Sequence, residues 1–408
     1  MSLTNAVSAS SLPQTIAGTA PRLRLHYLDG LRGLAAIAVV LNHARLQSGY
    51  HGGATVWEHI QFAFAQMISD GRASVAIFIV LSGYCLMLPV ARSSDKTLRG
   101  GTLDFLKRRA KRILPPYYAA LTLIFVATAF IPQLKDSHIP QWRDALPVST
   151  ISAILPHLFL VHNWNPQWFF KIDPPAWTVA TEWQIYFVFP PLLLPLWRRC
   201  GSLITIFTAF CVGLIPLFGL HHGQGASFWF LGLFAIGMAA AAINFPSQKL
   251  SWHTRLPWGL LAGFFSVLVM LLENTYLIPS LERFSGGKPD GLYNHYWILD
   301  SLVGIATGCF LIYCTQLIAS PRSSPKPIIL RLLESSSLVF IGSFSYSLYL
   351  IHDPILAIAY SFFRRFSLSS LQFFSAMAIF GLFLSLLGAY LFHLAFERRF
   401  IVRGPKLG

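Results

Sequence analysis

About ten apolar segments, each roughly 17 to 25 residues long, recur along the chain near residues 31–47, 73–91, 115–132, 177–196, 202–219, 226–243, 257–277, 296–319, 337–360 and 371–395. A backbone in hydrocarbon must satisfy its own N–H and C=O groups, and single segments of this length do so as α-helices. The pattern therefore predicts an all-α integral membrane protein, a bundle of about ten transmembrane helices. Composition agrees: 54% of the 408 residues are hydrophobic and 12% are charged. With a mean hydropathy of +0.56, the chain is too apolar for an ordinary soluble enzyme.

A formal net charge of +15 can signal nucleic-acid binding, but its distribution follows the positive-inside rule instead. With the N-terminus placed in the cytoplasm, most Lys and Arg fall in cytoplasmic segments. The densest, Arg92 to Arg112, holds eight of them between the second and third spans. An even number of spans returns the C-terminus to the same side, so both termini are expected in the cytoplasm and the protein in the plasma or inner membrane, with the lipid bilayer as a partner and no nucleic acid. Arg364 and Arg365 run against the rule, and the last two spans are the least constrained by it. Residues 1–24, rich in Ser, Thr and Ala, show no cleavable signal and are expected to form a disordered cytoplasmic tail. Residues 25–397 form the membrane domain, and residues 398–408 a short basic tail. The longest external connection, Gln133 to Ala176, is expected to carry a short helix near Ile151 to His162. Internal repeats of the kind that build many transporters are not apparent.

The five cysteines lie in or at the ends of apolar segments with no CxxC spacing, and the 13 histidines include no HExxH. Buried thiols are expected, with no disulfide framework, metal centre or cofactor. The chemistry falls instead to a few groups that the apolar pattern does not need. In YLDGLRGLAAIAVVLNHA, Arg32 and His43 are eleven residues apart, which places them on one helix face roughly 16 Å apart along the axis. Ionisable residues inside such a segment face a protein interior or a wet cavity. Each has a plainer reading: Arg32 as a snorkelling side chain at a span end, His43 as an imidazole bonded to a backbone carbonyl.

Glu182, in AWTVATEWQIYFVFPP, sits among Trp177, Trp183 and Tyr186. Its most useful partner would be His43, since a His oriented by a carboxylate can take a proton from an alcohol. The alternative is a helix-capping or interfacial carboxylate. Trp177 and Tyr186 are expected to line the same pocket. In KRRAKRILPPYY, Arg109 and Arg112 share a helix face with Arg108 beside them, an arrangement suited to phosphate or, more plainly, to anionic lipid. Ser82 is expected to serve in packing or as pocket lining, because no GxSxG turn is present to make it a nucleophile. His352 and Asp353 precede Pro354, which frees backbone carbonyls, and are expected to have a structural or pocket-lining role.

The ordered combination of YLDGLRGLAAIAVVLNHA, FIVLSGYCL, KRRAKRILPPYY, AWTVATEWQIYFVFP and YSLYLIHDP resembles the membrane-bound acyltransferase 3 family from about Tyr27 to Glu397. Arg32 to His43 fits its Arg-x10-His motif, Arg109 to Arg112 its Arg-x-x-Arg motif, and Trp177 to Glu182 its Trp-x4-Glu pattern. The usual aromatic pair before Leu-Ser-Gly is reduced to Ile77 and Phe78. The resemblance implies an integral membrane enzyme that moves an acyl group, commonly acetyl, from acyl-coenzyme A to a hydroxyl of a glycan or small molecule. Some members carry an additional hydrolase-like SGNH domain, and this chain is expected to stand alone without one.

On this combined reading acyl-coenzyme A is the donor substrate. Arg109, Arg112, Arg108 and Arg32 lie towards its phosphates, and its pantetheine arm threads the bundle towards His43. His43, oriented by Glu182, would deprotonate the acceptor hydroxyl, with an acyl-imidazole on His43 as the competing route. A cell-surface glycan or glycan precursor is the first expectation for the acceptor, with a lipid or secondary metabolite as alternatives. A transporter or flippase using His43, Glu182 and His352 as a pathway is the reading from a different class, and a non-catalytic assembly subunit is a third.

Overall fold

The computed structural model describes residues 24–51, 55–136, 138–140, 142, 146, 150–218, 226–246, 256–274, 290–320 and 325–400. Almost all of the two predicted tails therefore lies outside the described residues. Among the described residues there is no strand. The helices run α1 (Tyr27–Ser48), α2 (Val56–Ile68), α3 (Gly71–Arg92), α4 (Gly101–Phe130), α5 (Ile151–Leu158), α6 (Ala176–Val188), α7 (Leu194–Phe218), α8 (Phe230–Asn244), α9 (Trp258–Asn274), α10 (Asp290–Ala319), α11 (Ile328–Leu333), α12 (Ser336–Ser343), α13 (Ser345–Phe363), α14 (Ser370–Ala376) and α15 (Leu382–Phe392). Wide π-turns join α6 to α7 through Phe189–Leu193 and α14 to α15 through Met377–Gly381.

Each of the predicted apolar segments overlaps a helix, and the fold is that of an all-α multi-pass membrane protein. Five helical runs are long and apolar enough to cross a bilayer: Ile60–Arg92, Gly101–Phe130, Ala176–Phe218, Tyr296–Ala319 and Ser370–Glu397. α8 and α9 are shorter apolar helices. The 43-residue run Ala176–Phe218 is broken at Gly201, whose φ of 79° and ψ of −178° lie outside the helical range. Only glycine takes that conformation without strain, and the break separates the two segments anticipated on either side of it. The segment 337–360, read as one span, is instead two helices, α12 and α13, parted at Phe344.

The centre of the bundle is built by α1, α3, α8, α10 and α13. The closest large interface joins α3 to α8, and glycine makes it possible. A Cβ at Gly83 would stand 2.1 Å from the Phe234 carbonyl oxygen, and one at Gly237 would stand 2.0 Å from that of Val80. Small residues facing each other in this way let helix backbones approach closely where lipid offers no hydrophobic drive to association. α1 is enclosed by α3, α12 and α13, which buries Tyr27, Ala36, Val39, Val40 and Ala44. Arg32 and His43 are thereby turned towards protein, with side-chain exposures of 23% and 12%.

In the connection between α4 and α6, the anticipated short helix is present as α5, followed by a 3-10 turn at His162–Trp164. Trp142 is fully buried there and donates its indole N–H to the Leu134 carbonyl at 3.0 Å. The described residues of this connection form a cap whose buried Leu134, Ile139, Trp142, Leu160 and Ile172 join the main apolar core.

Candidate active site

α1, α3, α4, α6 and α13 surround a cavity of about 260 Å³ whose polar wall includes Arg32, Ser82, Cys85, Arg109, Arg112, Glu182 and Tyr186. Each residue arrives by simple helical spacing. Arg109 and Arg112 are one turn apart on α4, Glu182 and Tyr186 one turn apart on α6, and Ser82 and Cys85 one turn apart on α3. Three guanidinium groups thus face one carboxylate. Arg32 is engaged, donating to Asp29 at 2.7 Å and to the Cys85 sulfur at 3.1 Å. Neither Arg109 nor Arg112 forms an ion pair with a described residue, and the buried Nε of Arg109 lacks a hydrogen-bond partner among them. A low-dielectric cavity with surplus guanidinium charge is a site for an anion with several oxygen acceptors.

Arg108, grouped with Arg109 and Arg112 on sequence, is not in this wall. It donates to the Arg99 carbonyl at 2.8 Å on the exposed side of α4. One residue along a helix is a turn of about 100°, which carries its side chain away from the cavity. Trp177 is also elsewhere, stacked on Phe169 at 5.1 Å and tilted against Phe230 at 6.0 Å. Ser82 and Tyr186 do line the cavity, their hydroxyls 3.2 Å apart.

The fold parts the proposed couple of His43 and Glu182. Glu182 Oε1 accepts from the Tyr186 hydroxyl at 2.5 Å. His43 Nδ1 lies 2.9 Å from Asp353 Oδ1, and Gln47 donates to the same oxygen at 2.8 Å. Asp353 is fully buried and His43 nearly so, with side-chain exposures of 0% and 12%. One turn of α1 and the middle of α13 therefore build a His43–Asp353 dyad, with Gln47 as a second donor to the carboxylate. With Nδ1 donating to Asp353, Nε2 is left as the position that takes up a proton. The partners are separated by 310 residues, and no local spacing in the sequence points from one to the other.

His352 stands edge-on to His43, the ring centroids 4.8 Å apart. Its Nδ1 lies 3.0 Å from the Leu348 and Tyr349 carbonyls, which fixes the proton there. Its buried Nε2 has no partner among the described residues. His352 is thus a neighbour of the dyad, and neither it nor Asp353 is part of the cavity wall.

His43, His352 and Asp353 could be considered as metal ligands, their candidate atoms spreading over as much as 4.8 Å. Two ligands of one zinc ion, each about 2.1 Å from it, stand at most about 4.2 Å apart. The trio is looser than a coordination shell, and the short His43–Asp353 contact is that of a hydrogen-bonded pair.

The fold and site therefore define a helical membrane bundle that holds a cationic cavity and, apart from it, a buried His–Asp dyad. The chain belongs to the acyltransferase 3 family: the family model, described as an acyltransferase domain, matches residues 25–394. It is similar to O-acetyltransferase OatA of Staphylococcus aureus strain NCTC 8325 / PS 47, with 28% identity over 361 residues, covering 82% of this chain and 51% of that protein. OatA of S. aureus strain COL matches to the same extent, 28% over 361 residues. A further protein of strain COL, also named as an O-acetyltransferase, is 26% identical over 362 residues, again covering 82% of this chain and 51% of its own length. The chain thus spans about half the length of these curated relatives. No solved structure matches the chain.

Proposed function

We propose that this protein is a membrane-bound O-acyltransferase that moves an acetyl group from cytoplasmic acyl-coenzyme A to a hydroxyl of a cell-surface glycan or glycan precursor, acting in the plasma or inner membrane. The observation that carries the proposal is the cavity in which Arg32, Arg109 and Arg112 outnumber Glu182. Coenzyme A presents phosphates in the cytoplasm, and guanidinium groups recognise phosphate through paired N–H donors. Arg109 and Arg112 hold those phosphates, and the pantetheine arm runs along the cavity towards His43. Glu182 offsets one of the positive charges and fixes the Tyr186 hydroxyl.

Beyond the cavity, past Tyr349, Asp353 orients His43. The acceptor hydroxyl gives its proton to His43 Nε2 as its oxygen attacks the thioester carbonyl carbon. The C–S bond then breaks, and the departing thiolate takes the proton from His43, leaving an O-ester and a free thiol. The relatives' names, which carry O-acetyl transfer, support the acetyl group and the oxygen acceptor. Aromatic faces suit sugar stacking, and of the tryptophans in the connection before α6 Trp164 is exposed, at 54%, whereas Trp142 is buried.

Radiolabelled acetyl-coenzyme A incubated with membranes containing wild type or His43→Ala at matched expression tests the proposal. Label entering a membrane or glycan fraction with wild type alone is expected. Incorporation that survives in His43→Ala removes His43 from the reaction. Transfer by purified protein without any ion gradient separates the enzyme from a carrier.

A further inference from the structure

The cavity does not reach the dyad. Its lining on α13 is Ser345, Tyr346 and Tyr349, and His352 and Asp353 begin the next turn. Its lining on α3 extends from Cys85 and Leu86, beside Arg32, to Phe78 and Val75 at the other end. On α6 it ends at Thr178. The end opposite the arginines is therefore formed by Val75, Phe78, Thr178 and Tyr349. These side chains are tied together. The Tyr349 and Thr178 hydroxyls are 2.5 Å apart, and both reach the Pro175 carbonyl, at 3.2 and 3.1 Å. Three polar atoms so arranged are satisfied when one hydroxyl donates to the other and the second donates to Pro175. The Tyr349 ring packs edge-on to Phe78, 6.2 Å between centroids. It also lies 6.1 Å from the His352 ring, which in turn lies 4.8 Å from that of His43.

We propose that Tyr349, held by Thr178 and Pro175 and backed by Phe78, is the wall that sizes the acyl group, admitting a short acyl chain to the His43 end and excluding longer ones. The proposal rests on the acyl-coenzyme A reading of the cavity. A thioester anchored through its phosphates at Arg109 and Arg112 meets this wall with its acyl end, so each added methylene presses on a buried ring fixed at both its edge and its hydroxyl. In an apolar pocket one surplus methylene changes discrimination by about 10- to 200-fold. The wall is also joined to the cap, since Pro175 closes the connection that carries α5.

Membranes containing the full-length chain are supplied with labelled acetyl-, butyryl- and octanoyl-coenzyme A, and rates are compared within each variant, so that loss of total activity cancels. Wild type is expected to favour acetyl. Tyr349→Ala is expected to raise the butyryl-to-acetyl ratio by about tenfold or more, and Tyr349→Leu, which keeps a buried apolar side chain, to raise it less. Thr178→Val keeps the volume but removes the nearer of the two partners of the tyrosine hydroxyl, and shifts the ratio in the same direction by less than Tyr349→Ala. Ratios equal to wild type in all three variants, including a uniform loss at every chain length, overturn the wall. Failure of wild type to use or bind any of the three donors overturns the donor reading on which the wall rests, a result distinguishable because it precedes any substitution.

Discussion

At the residue scale, the decisive contact is between His43 and Asp353, 2.9 Å apart and shielded from water. A carboxylate there fixes the imidazole tautomer and stabilises the imidazolium that forms when the acceptor loses its proton. Asp353→Asn is therefore expected to lower kcat by about 10²-fold, with KM for the donor near wild type, since general acid–base catalysis contributes on this scale. Steady-state kinetics in detergent check it, and an unchanged kcat makes Asp353 structural. Glu182→Gln still accepts from Tyr186, and is expected to change kcat less than Asp353→Asn does. Replacing Arg109 and Arg112 together is expected to raise KM for acyl-coenzyme A with kcat less affected; an equal KM removes them from donor binding. That Arg109 and Arg112 share a helix face was legible in the sequence, because residues three or four apart lie on the same side of a helix; that Ser82, Glu182 and Tyr186 meet them in one cavity was not. The dyad was not, because its members come from opposite ends of the chain.

At the scale of elements, the bundle depends on backbones that touch. Gly83→Ala places a methyl 2.1 Å from the Phe234 carbonyl oxygen, and a backbone atom cannot swing aside as a side chain can. Such overpacking typically costs about 1–3 kcal/mol. A lower Tm of the detergent-solubilised protein is the expected result, and an unchanged Tm means that α3 and α8 separate freely. The cap holds a second dependence. His157 and His162 stack at 3.9 Å, and burial pushes both imidazoles below their ordinary range, His162 further than His157. A cationic group with a depressed folded-state pKa gains protons on unfolding, so its stabilising effect is full above the unfolded value of about 6.5 and falls as pH drops below it. Tm is expected to fall between pH 7 and pH 5, and His162→Gln to reduce that fall; an equal fall in the variant assigns it to other groups. Apolar runs in the sequence anticipated a helix at each predicted segment and at α5, though not α2. They missed the break at Phe344, since nothing in a continuous apolar run marks where α12 gives way to α13.

At the scale of the whole molecule, orientation in the bilayer follows from charge. The basic junction Arg198–Arg199 beside the Gly201 break is expected on the cytoplasmic side under the positive-inside rule, and so are Arg109 and Arg112 of the cavity wall. Cys200 is exposed at that junction. A membrane-impermeant maleimide is expected to label it only after the membrane is opened, with Cys200→Ser as control, and labelling of intact cells would invert the topology. By itself the sequence determined that the chain enters a membrane as helices, because backbone hydrogen bonding in hydrocarbon leaves few other forms. It also determined which arginines share a face, because helix geometry is local and periodic. The tertiary structure decided the partner of His43, the enclosure of the cavity and the Tyr349 wall. Those contacts join α1 to α13 and α6 to α13, and their existence depends on how distant helices pack, for which a single chain of residue types carries no periodic signal.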